Sequence, residues 1–159
     1  MRIHEIAGAA MVSALVLAGS AGAEEQILKF RLVTTDRDSV EHDVANVPGR
    51  YVAAHESVGV AVFEDGRIAH KSFVYTENGT EDAGEAVGYS TYTFENGDAL
   101  TAKFVSTWGA DGFKGTYEVL SGAGEFEGAT GTGTFGKVDV PWRDMSAYEG
   151  SFTLEVPGA

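Results

Sequence analysis

Residues 87–120 read VGYSTYTFENGDALTAKFVSTWGADGFKGTYEVL. Side chains alternate at period two through Val87 to Phe94, Leu100 to Trp108 and Phe113 to Leu120, and β-branched and aromatic residues crowd each run. Successive side chains of a strand point to opposite faces, so this pattern specifies half-buried strands and not helix. Between the runs stand Asn96-Gly97 and Asp111-Gly112, pairs that accept positive φ in two-residue hairpin turns. This stretch alone predicts three consecutive antiparallel strands.

The same grammar extends in both directions. Phe63-Glu64-Asp65-Gly66 echoes Phe94-Glu95-Asn96-Gly97, and Phe73-Val74 and Phe104-Val105 follow the two turns at equal distance. Similar turns selecting similar flanks and an internal duplication both account for this echo. Ile27 to Thr35, Tyr51 to Val62, Ile68 to Tyr75, Phe126 to Val138 and Tyr148 to Val156 bring the count to eight strands. The charged stretch Asp36 to Arg50, broken by Pro48-Gly49, is expected to join the first two strands, and Glu77 to Glu85 to form a polar loop. A meander leaves two unpaired edges that closure removes, so the expected fold is all-β: an eight-stranded antiparallel up-and-down barrel. Eight strands enclose a lumen that side chains nearly fill or that holds one small ligand. Lys71, Lys103 and Lys114 interrupt the strands and argue against the continuous lipid-facing band of an outer-membrane barrel.

The first 23 residues read as a signal peptide. Arg2 supplies the positive start, Ala7 to Ala18 an apolar run too short to span a bilayer, and Ala21-Gly22-Ala23 a small-x-small cleavage site. The expectation is a single domain over residues 24–159, exported by a bacterium to the periplasm or the medium and not inserted in a membrane. The chain carries 11 basic and 24 acidic residues, a formal charge of −13, and Arg2 and Glu5 would leave together without changing it. Nucleic acid is therefore a poor partner. Cysteine is absent, which excludes disulfides, thiolate metal sites, a cysteine nucleophile and a lipoprotein anchor.

The glycine-rich segment Gly115 to Phe135, GTYEVLSGAGEFEGATGTGTF, resembles the strand pair of the allene oxide cyclase and dirigent-like barrels, where a Gly-x-Gly turn leads into a returning Phe-x-Gly-x-x-Gly strand. In such a pattern Gly122 and Gly124 allow the turn, Phe126 plugs the barrel end, and the later glycines let the backbone coil. Tyr92 to Asp98 and Leu28 to Asp38 are similar to bacterial members of that group. The resemblance implies a barrel around a small apolar molecule and chemistry by confinement, a cyclase or isomerase with no metal or organic cofactor. The cyclases carry a glutamate and an asparagine on the first strand, where Arg31 and Val33 stand here, so no catalytic residue is carried over. A carrier without chemistry and a structural or surface-interaction barrel with a filled lumen are the alternatives.

Candidate site residues follow from the alternation. Glu56 falls in a row with Val52, Ala54, Val58, Val60 and Val62. If that row lines the lumen, its carboxylate is the expected general acid or base; a bulge near Gly59 would turn it outward instead. Phe104 and Trp108 on one strand and Tyr117 on the next are the expected ligand-binding wall. His70 and Ser72 share a face with Ile68 and Val74, but no aspartate completes a triad. His42, His55 and His70 lack the spacing of metal ligands, and Asp36, Asp38, Glu41 and Asp43 lack the glycine and terminal glutamate of a calcium loop. Pro141-Trp142-Arg143-Asp144 reads as either a lid over the barrel mouth or a surface crossover.

Overall fold

In the computed structural model, which describes residues 22–158, the alternating runs form β1 Glu24–Asp43, β2 Tyr51–Phe63, β3 Ile68–Gly79, β4 Gly84–Phe94, β5 Ala99–Trp108, β6 Lys114–Ala123, β7 Thr130–Val138 and β8 Ser146–Val156. Each strand pairs antiparallel with the next, and β8 returns to β1 from Glu24↔Val156 to Thr34↔Ser146. The result is a closed eight-stranded barrel with one 3₁₀ turn, Gly124–Phe126, between β6 and β7. The leader reading falls almost wholly outside the described residues.

Four local expectations are corrected. The polar loop expected over Glu77 to Glu85 shrinks to residues 80–83 between β3 and β4, and the strand expected from Phe126 begins at Thr130, with Phe126 in the 3₁₀ turn. The charged residues Asp36 to Asp43 are strand and not loop, paired with Tyr51–Ser57 after a bulge between Asp36 and Asp38. Backbone groups along the start of β2 require partners, and the side chains of β1 are exposed over this stretch, so their charge does not oppose pairing. The hairpin turns are also one residue longer than expected. The Gly66 N–H donates to the Phe63 carbonyl and the Phe63 N–H to that of Arg67, and Gly97, Phe94 and Asp98 repeat this arrangement. Only the glycine of each turn takes positive φ, 92° at Gly66 and 91° at Gly97. This is the three-residue loop in which a left-handed glycine makes the bulge.

Side chains fill the lumen in layers. At the end carrying the β2–β3, β4–β5 and β6–β7 connections, Phe63, Phe94 and Phe126 pack with centroids 5.0 and 5.1 Å apart, and Phe126 is fully buried. The Arg67 guanidinium lies over Phe94 and Phe126 and is held by Asp65 and Glu125, so this end is plugged. Above the plug, Phe30, Tyr92, Tyr117 and Phe152 form the central layer, with centroids 4.8–6.5 Å apart. Beyond that layer the large rings retreat to the wall, and the opposite end is open.

Candidate functional site

The upper half of the barrel holds a cavity of about 510 Å³. Six rings line it, Phe73 and Tyr75 of β3, Phe104 of β5, Phe113, Phe135 of β7 and Tyr148 of β8, together with the polar side chains of Thr34, Lys71 and Ser106. Asp36, Glu77 and the segment Asp144 to Ser146 stand at the mouth, where Thr35 Oγ1 donates to the Asp144 carbonyl at 3.0 Å. Asp144 and Met145 thus reach the opening, while Trp142 is exposed on the same link. A larger hollow of about 1010 Å³ runs across the outward-facing residues of β5, β6, β7, β8, β1 and β2, but it is more open and lies mainly outside the wall.

Lys71 forms part of the cavity floor. It lies on the inner row of β3 between Ala69 and Phe73 and is 3% exposed. Its Nζ sits 4.3 Å from the Phe73 ring centroid and 5.3–5.4 Å from those of Tyr92, Phe104 and Tyr117. It donates one hydrogen bond, to the Tyr117 hydroxyl at 3.2 Å, and Tyr117 and Tyr92 share a further bond of 2.9 Å. Among the described residues no carboxylate lies within ion-pair distance of it. Burial without a counter-charge disfavours the ammonium and pulls the group down from 10.5 to about 7. The same burial raises Tyr92 and Tyr117 well above the usual phenol range, so both remain protonated donors.

A second polar group lies near the rim. His55 stacks on Tyr75 with centroids 4.5 Å apart, and its ring nitrogens lie 3.6 Å from Asp36 and 3.7 Å from Glu77. Those carboxylates already accept hydrogen bonds from Ser57 and Tyr51 respectively, whereas neither His55 nitrogen makes one. Burial, followed by the charge of Glu77, pushes the Tyr51 phenol up to about 12. Burial also raises Tyr75 and Tyr148. Among the described residues no set of three His, Asp or Glu side chains is gathered for a metal ion.

Glu56 is not in the lumen. Its side chain is 58% exposed and lies 3.7 Å from Arg37, and Val52, Val60 and Val62 of the same row are exposed with it. The inner row of β2 is Ala53, His55, Ser57, Gly59, Ala61 and Phe63. Gly59 has no room for a side chain, since a Cβ there would come 2.5 Å from the Val33 carbonyl oxygen and 3.0 Å from the Leu32 side chain on the neighbouring strand. The proposed carboxylate acid therefore has no place in the cavity. Of the expected wall, Phe104 lines the cavity and Tyr117 lies beneath it, bonded to Lys71. Trp108 is displaced to the rim, where its indole N–H donates to the Thr80 carbonyl at 3.1 Å and its ring covers Gly79 and Gly84. His70 and Ser72 face outward, which removes the paired imidazole and hydroxyl.

Lys71, expected with Lys103 and Lys114 as a charge interrupting the outer face, instead points inward, so it does not bear on that face. The available signal was a lysine flanked at i−2 and i+2 by Ala69 and Phe73, the pattern of an inward row.

No family model matches the chain, and no curated protein matches it. Solved structures do. The pterocarpan synthase dirigent protein GePTS1 superimposes with a TM-score of 0.58 at 14% identity, covering 93% of this chain and 99% of that one. The barrel is dirigent-like in fold. The pterocarpan synthase dirigent protein PsPTS1 gives a TM-score of 0.56 at 14% identity, over 87% and 99% of the two chains. A protein of unknown function of the DUF3224 family, from Shewanella oneidensis MR-1, gives 0.50 at 15% identity, over 86% and 99%. What this dirigent-like barrel shares with them is the architecture of the wall.

Proposed function

We propose that this dirigent-like barrel takes one small, largely apolar molecule through its open mouth and holds it against the aromatic wall, with its one polar end turned toward Lys71 and Tyr117. The observation that carries this reading is the asymmetric lumen: aromatic packing plugs one end, while a cavity of about 510 Å³ with a buried amine at its floor occupies the other. That volume is in the range of small-molecule sites, with the rings offering apolar contact and the polar groups at the floor and mouth available to fix orientation. The likeness in fold to two proteins named pterocarpan synthase dirigent proteins supports a barrel that binds or guides a small molecule. Confinement is the chemistry such a lumen offers, since it holds a flexible reactant in one folded shape and limits access of water. A cyclisation or isomerisation of a reactive ligand is therefore the proposed activity. An exported location, with the mature chain beginning at Glu24, belongs to the same proposal and is checked by N-terminal sequencing of protein recovered from outside the cytoplasm.

The binding reading is tested with 2-naphthalenemethanol, an apolar bicyclic alcohol, titrated into the protein by calorimetry. Saturable one-to-one binding is expected, and Ser106→Phe, which fills the cavity from the wall, is expected to abolish it while leaving the far-ultraviolet spectrum unchanged. Absence of binding to the native barrel, or binding that Ser106→Phe leaves intact, would overturn the reading.

A further inference from the structure

Lys71 has no structural employment. A lysine buried for stability alone would be matched by a carboxylate or by several acceptors, because an ammonium has three donors to satisfy. Here Nζ makes one hydrogen bond, to a phenol, and otherwise faces ring surfaces. Asp36 and Glu77 line the same cavity but accept hydrogen bonds from Ser57 and Tyr51 nearer the rim. Of the other four lysines, Lys29, Lys103 and Lys114 lie on outward rows, and Lys137 is exposed at the rim, on the row of Phe135.

Resting on the lumen reading above, we propose that Lys71 is a covalent capture site for carbonyl compounds, and that the natural ligand class includes apolar aldehydes or ketones. The nitrogen lone pair attacks the carbonyl carbon, forming a C–N bond as the C=O π pair moves to oxygen. Proton transfer from nitrogen to that oxygen gives a neutral carbinolamine. The hydroxyl takes a proton from Tyr117 and leaves as water while the nitrogen lone pair forms the C=N bond, and the remaining N–H proton returns to Tyr117, leaving the neutral imine. The sequence is redox-neutral and needs no co-reactant. Tyr117 is bonded to Nζ and backed by Tyr92, so it is placed to give a proton to the departing hydroxyl and to recover one from nitrogen. The lowered proton affinity of Lys71, caused by burial, supplies the free amine near neutral pH that attack requires.

The test uses the full chain, 2-naphthaldehyde and sodium cyanoborohydride, followed by intact mass and peptide mapping. One reduced adduct on Lys71 is expected, formed at least about tenfold faster than on the other lysines. Tyr117→Phe is expected to slow capture about a hundredfold, and Lys71→Met to remove the fast adduct and leave slow surface labelling. Adducts confined to the other lysines of the native protein would overturn the proposal without any appeal to a variant. If the alcohol binds and Lys71 is not labelled, covalent capture fails and the binding reading stands. If neither occurs, both fail.

Discussion

The Lys71 amine donates to the Tyr117 hydroxyl at 3.2 Å across the lumen, from β3 to β6, with no carboxylate of the described residues in range. Two strands distant in sequence thus place an amine and a phenol together in an apolar layer. The arrangement costs stability, and that cost is measurable.

Lys71 binds its proton less tightly when folded, at about 7, than when unfolded, at 10.5. Between those values unfolding takes up a proton, so stability should rise with pH from about 7 toward 10.5 and be independent of this group below 7. From pH 7 to 8.5 the expected gain is about 2 kcal/mol in urea denaturation. The raised phenols Tyr92 and Tyr117 act in the opposite sense above pH 10, where only the unfolded chain loses their protons. Lys71→Met should flatten the rise and stabilise the barrel at pH 7 by roughly 1–3 kcal/mol. A native protein with no rise between pH 7 and 8.5 would show that the folded amine is not desolvated.

Glu56→Gln should leave both 2-naphthalenemethanol affinity and stability within about 0.5 kcal/mol of the native protein, because the residue is exposed and its Arg37 contact is a surface pair. Calorimetry and denaturation check this together. A clear loss of binding would return Glu56 to the site.

Phe126→Ala should cost about 3–5 kcal/mol, since the ring is fully buried between Phe94 and the Arg67 guanidinium. The plug and the cavity occupy opposite ends of the lumen. Under conditions where the variant remains folded, its naphthyl affinity should be unchanged.

Trp108 is half-buried at the rim, while Trp142 is exposed. With Trp142→Phe as background, acrylamide should quench Trp108 less than it quenches Trp142 in Trp108→Phe. Gly84→Ala would place a Cβ 2.2 Å from the Trp108 ring and should cost about 1–3 kcal/mol by overpacking. Equal quenching of the two indoles would refute the rim packing.

Period-two alternation and the turn glycines Gly66, Gly97 and Gly112 determined the number of strands and their antiparallel order, because both are local properties of the backbone. Closure followed from the need to satisfy two edges, and the glycine-rich Gly115 to Phe135 segment pointed to the barrel type. The plugging role of Phe126 was legible for the same reason, since it stands beside the turn that positions it.

Which row of each strand faces inward was decided only by the tertiary structure. Along β2 both rows are free of large polar groups except at His55 and Glu56, so hydrophobicity alone favoured the valines. In the folded barrel Phe30, Tyr92, Tyr117 and Phe152, delivered from four other strands, fill the space in front of β2. Along the middle of β2 only the small residues Ser57, Gly59 and Ala61 fit there, which sends the valines and Glu56 outward. That same packing turns Ala69, Lys71 and Phe73 inward on β3. The amine at the cavity floor is therefore a consequence of volume shared among strands, a quantity that no single stretch of sequence contains.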